Sequence, residues 1–425
     1  MPLEDLLDSD HQARVVWSFC QGLDLTPLFD QIGSREGGPG RAALDPRLGV
    51  ALWLAATLEG IGSARALDWL CGNHHAFRWL TGGVSVNYHT LADFRVDHLV
   101  FLDGVLTHSV AVLREQDLVD LNRVAHDGMR VRASAGAASF RRRPTLDECL
   151  QEAEDQVARL KEEMDDDPSA PSKRHAAARE RAARERQERL EAALLRLPEL
   201  EARKKPQDKA DARASTTDPE ATVMKMADGG FRPAYNVQFA ADTASQVIVG
   251  VMVITTGSDM GQMTPMLDQI NERHGEHPDE HLADGGFAKH EDIEQAEAAP
   301  RQVTVYVPVP EPKAPKASKK EGSETGEGDG KSAEKPAKRE RYEPMPGDSE
   351  TVGKWRKRMG TQEAKEIYKQ RASTVECVNA QARNRGLQRL VVRGLEKVKA
   401  IALWFAIAHN VMCGVRLRAM ACVTG

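Results

Sequence analysis

The six cysteines, Cys20, Cys71, Cys149, Cys377, Cys413 and Cys422, form no Cys-x-x-Cys pair. Their scatter argues against a zinc module or a disulfide framework and fits a reducing cytoplasm. Long apolar runs are missing too. The longest uncharged one, Ala400 to Val415, has 16 residues and contains His409 and Asn410. A bilayer span needs ~20, so no membrane is expected as a partner. The opening MPLEDLLDSD is acidic and lacks the basic-then-apolar order of a secretory signal. What is present is a chain of 425 residues, 41% hydrophobic and 29% charged. That suffices for a sizeable core spread over roughly two to three domains.

A net charge of -6 does not suggest a nucleic-acid binder, but the charge is unevenly distributed. Gly353 to Lys399 holds 13 Lys and Arg against 4 Asp and Glu. Arg123, Arg130, Arg132, Arg141, Arg142 and Arg143 surround a single acid, Asp127. Two basic blocks in an acidic chain are either a localised polyanion surface or two ordinary solvated helix faces.

Residues 1–118 have helical spacing, broken at Gly60-Ile61-Gly62, with Ser63 placed to cap the next helix. Another helix is expected from near Thr90. This pattern fits a small helical bundle or a helix-turn-helix reader. The period then changes. Val119 to Ala125 alternates and leads into His126-Asp127-Gly128, and Tyr235 to Thr255 forms two β runs around a polar turn. Helices over Met260–Glu272 and His290–Ala298 and a strand over Val303–Val309 complete a mixed α/β sheet with helices on its faces. Leu146, Leu150, Ala153, Val157, Leu160 and Met164 form a heptad seam, weakly resumed at Leu190, Ala193, Leu197 and Leu200. This predicts an inserted, coiled-coil-like helical hairpin whose seam is its own core. Pro312 to Arg339 has no Val, Ile, Leu, Met or aromatic residue and reads as a disordered insert. Thr361 to Arg385 and Leu395 to Leu417 read as closing helices.

Three acids stand out by context. Asp127 ends a predicted strand, Asp284 precedes two glycines in LADGGF, and Glu376 lies on the basic helix. Carboxylates gathered at strand ends and on a facing helix make an oxygen-rich site for magnesium. Two such ions about 3.5–4 Å apart drive phosphodiester chemistry. Turn capping by the two Asp and a surface ion pair for Glu376 compete with that reading. Asp242 reads as a turn residue and Asp259 as an N-cap. His126 reads as a structural or DNA-proximal residue, and His74, His75, His274, His277 and His281 as solvated loop histidines.

Several motifs in order carry a resemblance: HHAFRWLTGGVSVNYHTLADFR, HDGMRVRASAG, YNVQFAAD, LADGGF, and YKQRASTVECVNAQAR followed by GLQRLVVRGLEKVKAIALWFAIAHNV. From about residue 10 to 418 the chain resembles the bacterial insertion-sequence DDE transposases, in the group with a Tyr-Arg-Glu-Lys signature. The resemblance implies a helical N-terminal DNA-binding domain (1–118) and a ribonuclease-H-like catalytic domain (119–425). Within the latter lie the inserted hairpin (144–213) and the disordered insert (311–349). It implies Mg2+, with Mn2+ as a substitute, held by Asp127, Asp284 and Glu376. Tyr368 and Arg371 match the signature's first members, and Arg383 stands where Lys is usual, a planar fork in place of a point charge. On a straight helix Tyr368, Arg371, Glu376 and Arg383 span an arc of ~140°. Arg389 and Arg393 are further phosphate-contact candidates.

The implied function is binding of terminal inverted repeats, cleavage there, and strand transfer into target DNA. A homodimer in the synaptic complex and a cytoplasmic, nucleoid-associated location follow from it. A nuclease without strand transfer and a non-catalytic DNA-binding regulator are the alternatives. One expectation rests on composition alone. Replacing Pro312–Arg339 by a short Gly/Ser linker should leave the melting temperature within a few degrees, as thermal denaturation would show; a large cooperative loss would mean that the segment is packed.

Overall fold

The computed structural model describes residues 3–33, 43–166, 170–311 and 340–424. Seven helices come first: α1 (Gln12–Gln21), α2 (Thr26–Phe29), α3 (Pro46–Leu58), α4 (Ala64–Asn73), α5 (His75–Thr81), α6 (Tyr88–Asp97) and α7 (Leu99–Glu115). Side chains at their starts stop and restart them. Asp45 accepts the Arg47 N–H ahead of a Pro at the first helical position, Ser63 the Ala66 N–H and Asn87 the His89 N–H. Each satisfies a donor that a helix start leaves free.

The sheet follows. Its strands are β1 (Arg123–Arg132), β4 (Thr222–Lys225), β5 (Phe231–Asp242), β6 (Ile248–Ile254), β7 (Glu280–Ala283) and β8 (Thr304–Tyr306), while β2 (Phe140–Arg141) and β3 (Ala214–Ser215) pair separately. β1 is central, antiparallel to β5 on one side and parallel to β7 on the other, with β8 parallel beyond β7. β4 and β6 both pair antiparallel with β5. Between β6 and β8 run α10 (Met263–His274) and α11 (His290–Glu297). The last helices are α12 (Glu350–Gly360), α13 (Gln362–Arg371), α14 (Cys377–Asn384) and α15 (Leu395–Thr424). The expected mixed α/β organisation with helices on its faces is what the chain adopts. Strand β8 is shorter than the apolar run suggests.

The inserted hairpin is α8 (Arg143–Asp166) with α9 (Ala170–Ala202). Leu146 and Ala153 pack on Leu190, Ala193 and Leu197, and Val157 and Leu160 pack on Ala183. Leu146, Ala153, Val157 and Leu160 of the heptad seam are therefore buried against the hairpin's other arm, with Leu150 partly buried beside them.

Two expectations change. The expected disordered segment 311–349 is too long at its C-terminal side: Tyr342 stacks under Arg341, and Asp348 pairs with Arg356 at 2.6 Å, both nearly buried. Pro312–Arg339 lies outside the described residues. In addition, residue 118 marks a change of secondary structure and not a break in the core. Val16, Leu52, Trp53, Leu67 and Leu91 share one apolar cluster with Val398, Leu403, Trp404 and Phe405 of α15 and with Val237 and Phe239 of β5. Helix α15 is long and apolar enough to cross a bilayer, but 78% of its apolar window is buried inside the protein. It is the common wall of the helical part and the sheet.

Trp404 sits at that wall, 2% exposed, its indole N–H donating to the Arg95 carbonyl at 2.9 Å. Trp404→Ala should destabilise by about 3–5 kcal/mol. In urea unfolding followed by circular dichroism, helices and sheet should still be lost in one transition. Two separated transitions would show the cores to be independent.

Candidate active site

Strand register builds the site. The parallel ladder of β1 and β7 ends at the pair His126 and Ala283, so Asp127 and Asp284 are the next residues on neighbouring strands. Past that point the edge of β1 is open. There the Asp127 carboxylate turns back to accept the Gly128 N–H at 2.9 Å. Asp284 caps the short turn Gly285–Phe287, accepting the Gly286 N–H at 2.7 Å.

Glu376 arrives from the C-terminal helices. Thr361 to Arg385 is not one straight helix: α13 and α14 are joined by a π-helical turn, Ala372–Glu376. In a straight α-helix residues five apart lie about 140° apart around the axis. The wider turn brings them together, and the Arg371 guanidinium bonds directly to Glu376. The ~140° arc expected for the four signature positions therefore does not hold, because the extra residue in the turn resets the helical phase. Such turns recur at functional sites.

Arg371 is the hub. Its side chain is 12% exposed, it bonds Glu376, and it lies 3.7 Å from Asp127, an ion pair beyond hydrogen-bond reach. Its guanidinium also faces the Tyr368 ring, 5.8 Å from the centroid. Asn379 of α14 donates to the other Asp127 oxygen at 3.1 Å. Burial pushes Asp127 up to about 6; Arg371 opposes that, while Asp284 and Asp259 add to it. Burial also raises Tyr368. Burial works against the charge on Arg371, but Tyr368, Asp127 and Glu376 outweigh it.

The structure thus brings together Asp127, Asp284, Tyr368, Arg371 and Glu376. Arg383 is exposed on α14, about 10 Å along the helix from Glu376. Arg389 and Arg393 are exposed elsewhere. The backbone around Arg389 bonds Arg132, about 17 Å along β1 from Asp127, and the Arg393 side chain reaches the Ser134 carbonyl at 3.3 Å.

Other readings are corrected here. Gln262, not Asp259, is the N-cap of α10. Asp259 is buried, accepting from Asn236 at 2.7 Å and Gln238 at 2.9 Å and pairing with Arg130 at 3.5 Å. Its signal was the alternation of amides with large apolar residues in YNVQF, a strand buried on both faces. His281 is a fully buried residue of β7, not a loop histidine. His274 ends α10 with its ring on the Val249 carbonyl. His126 is fully buried, bonded to Gln238 at 2.8 Å and held neutral down to about 3 by burial. Asp242 does serve its turn, accepting from the Ser245 N–H and hydroxyl.

Asp127, Asp284 and Glu376 offer only hard oxygen donors, and Asp127 and Asp284 crowd one another electrostatically, so the donor set fits a divalent cation such as magnesium. Among the described residues no three His, Cys, Asp or Glu side chains stand together as a ready cage. The guanidinium of Arg371 balances the charge instead.

Because the folded protein holds the Asp127 proton up to about 6, against an ordinary 3.8, its contribution to stability is complete below that ordinary value. It is lost as pH rises through about 6. Asp127→Asn should therefore raise the melting temperature of the metal-free protein at about pH 7.5, with the gain shrinking toward pH 4. A gain that does not depend on pH would contradict this origin.

Comparison with known proteins bears on both ends of the chain. Residues 335–413, which include Tyr368, Arg371, Glu376, Arg383, Arg389 and Arg393, match the family described as Transposase DDE domain. Residues 1–97 match the family described as Transposase domain (DUF772). Asp127 and Asp284 lie outside both matches. No curated protein and no solved structure matches the chain. The two matches agree with each other and indicate an insertion-sequence DDE transposase.

Proposed function

We propose that this transposase binds the terminal inverted repeats of its element, cleaves there with divalent metal, and joins the freed ends to target DNA. We assign it to the group with a Tyr-Arg-Glu-Lys signature. The observation that carries the reading is the meeting of Asp127, Glu376 and Arg371 from segments some 240 residues apart, with Asp284 on the neighbouring strand. The strand order supports a ribonuclease-H-like catalytic domain over 119–425: β6, β5 and β1 antiparallel in turn, then β7 and β8 parallel. Helices α1–α7 would make the DNA-end-binding part, although they share a core with α15.

In this mechanism Asp127, Asp284 and Glu376 would hold Mg2+, or Mn2+ in its place. When bound, such a metal would supply activation of the attacking oxygen and charge stabilisation at the scissile phosphate. Asn379 keeps the Asp127 carboxylate oriented. The Gly286 N–H does the same for Asp284. Arg371 and Tyr368 meet the phosphate next to the cut, and Arg371 exchanges its carboxylate partners for phosphate oxygens as DNA enters. Arg383 and Arg389 contact the backbone further along, and Arg393 serves there while also securing the loop at Ser134. Two ends are brought together by a homodimer working on nucleoid DNA.

The test is magnesium-dependent nicking and joining of inverted-repeat DNA. Asp127→Asn, Asp284→Asn and Glu376→Gln should each lose several orders of magnitude, with double variants scarcely worse than singles. Asp242→Asn should stay near normal. Cleavage without joined products would favour a nuclease, and full activity of Asp284→Asn would overturn the site. Arg389→Ala should weaken binding similarly across sequences and lower the salt slope by roughly one unit.

A further inference from the structure

Behind the open edge of β1 lies a second polar group that the mechanism above does not use. Side chains alternate along a strand, so position 128 faces the side of the sheet opposite to Asp127. A Cβ on Gly128 would stand 2.5 Å from the Asp259 Oδ1 and 2.6 Å from the Asn236 Oδ1. A Cβ on Gly286, two residues past Asp284, would stand 3.6 Å from the Asp259 Oδ2. The missing side chain at 128 therefore leaves room on that face of the sheet, and the Asp259 carboxylate packs into it. Asn236 and Gln238 both donate to the same oxygen, Oδ1, and the Gln238 carbonyl oxygen is taken by buried His126. These contacts hold the carboxylate in one place. Arg130 approaches Oδ2 at 3.5 Å, and its guanidinium also donates to the Gly257 carbonyl at 2.6 Å.

We propose that Asp259 is a positioning residue of the active site, a fixed negative charge set behind Gly128 that strengthens the hold of Asp127 and Asp284 on a divalent cation. It acts through those two carboxylates, by field and by bracing the backbone at Gly128. Arg130 moderates it. The inference rests on the metal-binding role given to Asp127 and Asp284 above. Partners of this kind typically change metal affinity by about 10–100-fold.

The experiment is a titration of the full-length, DNA-free protein with Mn2+, read by electron paramagnetic resonance, alongside thermal denaturation. Asp259→Asn keeps an oxygen for the Asn236 and Gln238 amides, so the melting temperature should hold within a few degrees. Its Mn2+ affinity should fall about tenfold. Arg130→Gln, a partly exposed position, should shift affinity the other way, because it removes a positive charge from the same carboxylate. A merely structural role for Asp259 would not produce opposite signs. If Asp259→Asn does not fold, Arg130→Gln alone decides, and unchanged or weaker binding there overturns the proposal. Unchanged Mn2+ affinity in folded Asp259→Asn overturns it too. Asp284→Asn separates the two layers. If it abolishes binding while Asp259→Asn and Arg130→Gln do nothing, only the role of Asp259 is wrong. If the unaltered protein shows no Asp284-dependent binding, the metal-site reading is wrong and the role of Asp259 falls with it.

Discussion

A carboxylate packed largely out of water is costly unless something balances its charge, and this fold is arranged around two such acids. Asp127 on β1 and Asp259 on the loop after β6 face one open sheet edge from opposite sides. Each has an arginine: Arg371 for Asp127 and Arg130 for Asp259. Both remain less willing to ionise than free carboxyls, because burial outweighs the arginines and Asp284 adds its own charge. A site under that strain favours the arrival of positive charge.

The same constraint explains why distant segments must meet. Asp127 alone on β1 would lack a cation. Arg371 reaches it only because α13 and α14 cross the sheet, and Glu376 shares that guanidinium only because the helix widens at Ala372–Glu376. The α13–α14 pair is in turn held by apolar residues, with Val375 in the cluster around Trp355 and Val378 and Ala382 in the cluster around α15. Packing on two sides fixes the turn that fixes the charges.

Much of this was legible beforehand. Alternation exposed β5 and β6, the heptads exposed the α8–α9 seam, and Gly60 to Ser63 marked a real helix break, because these depend on local spacing. The three acids proposed as a trio were singled out through motif order. The π-helical turn was not, since Ala-Ser-Thr-Val-Glu fits a regular helix equally well and tertiary packing makes the choice. Asp259 was misread because a polar residue just before a helix resembles a cap. Only its partners on β5, Asn236 and Gln238, reveal its burial. His281 was misread for a related reason: nothing near it in sequence announces that β7 is covered on both faces.

The common wall formed by α15 also sets a timetable. Roughly 280 residues separate the end of α7 from the start of α15, which takes a ribosome about 15–55 s at 5–20 residues per second. Throughout that interval the apolar faces of α3 and α7 have emerged without their largest partner, and Glu376 has yet to be made or has only just been made. A polypeptide that stops before Glu376 lacks both the helix that closes the helical core and the third carboxylate. Among the described elements, the helix that closes the helical core is thus also the last to be made.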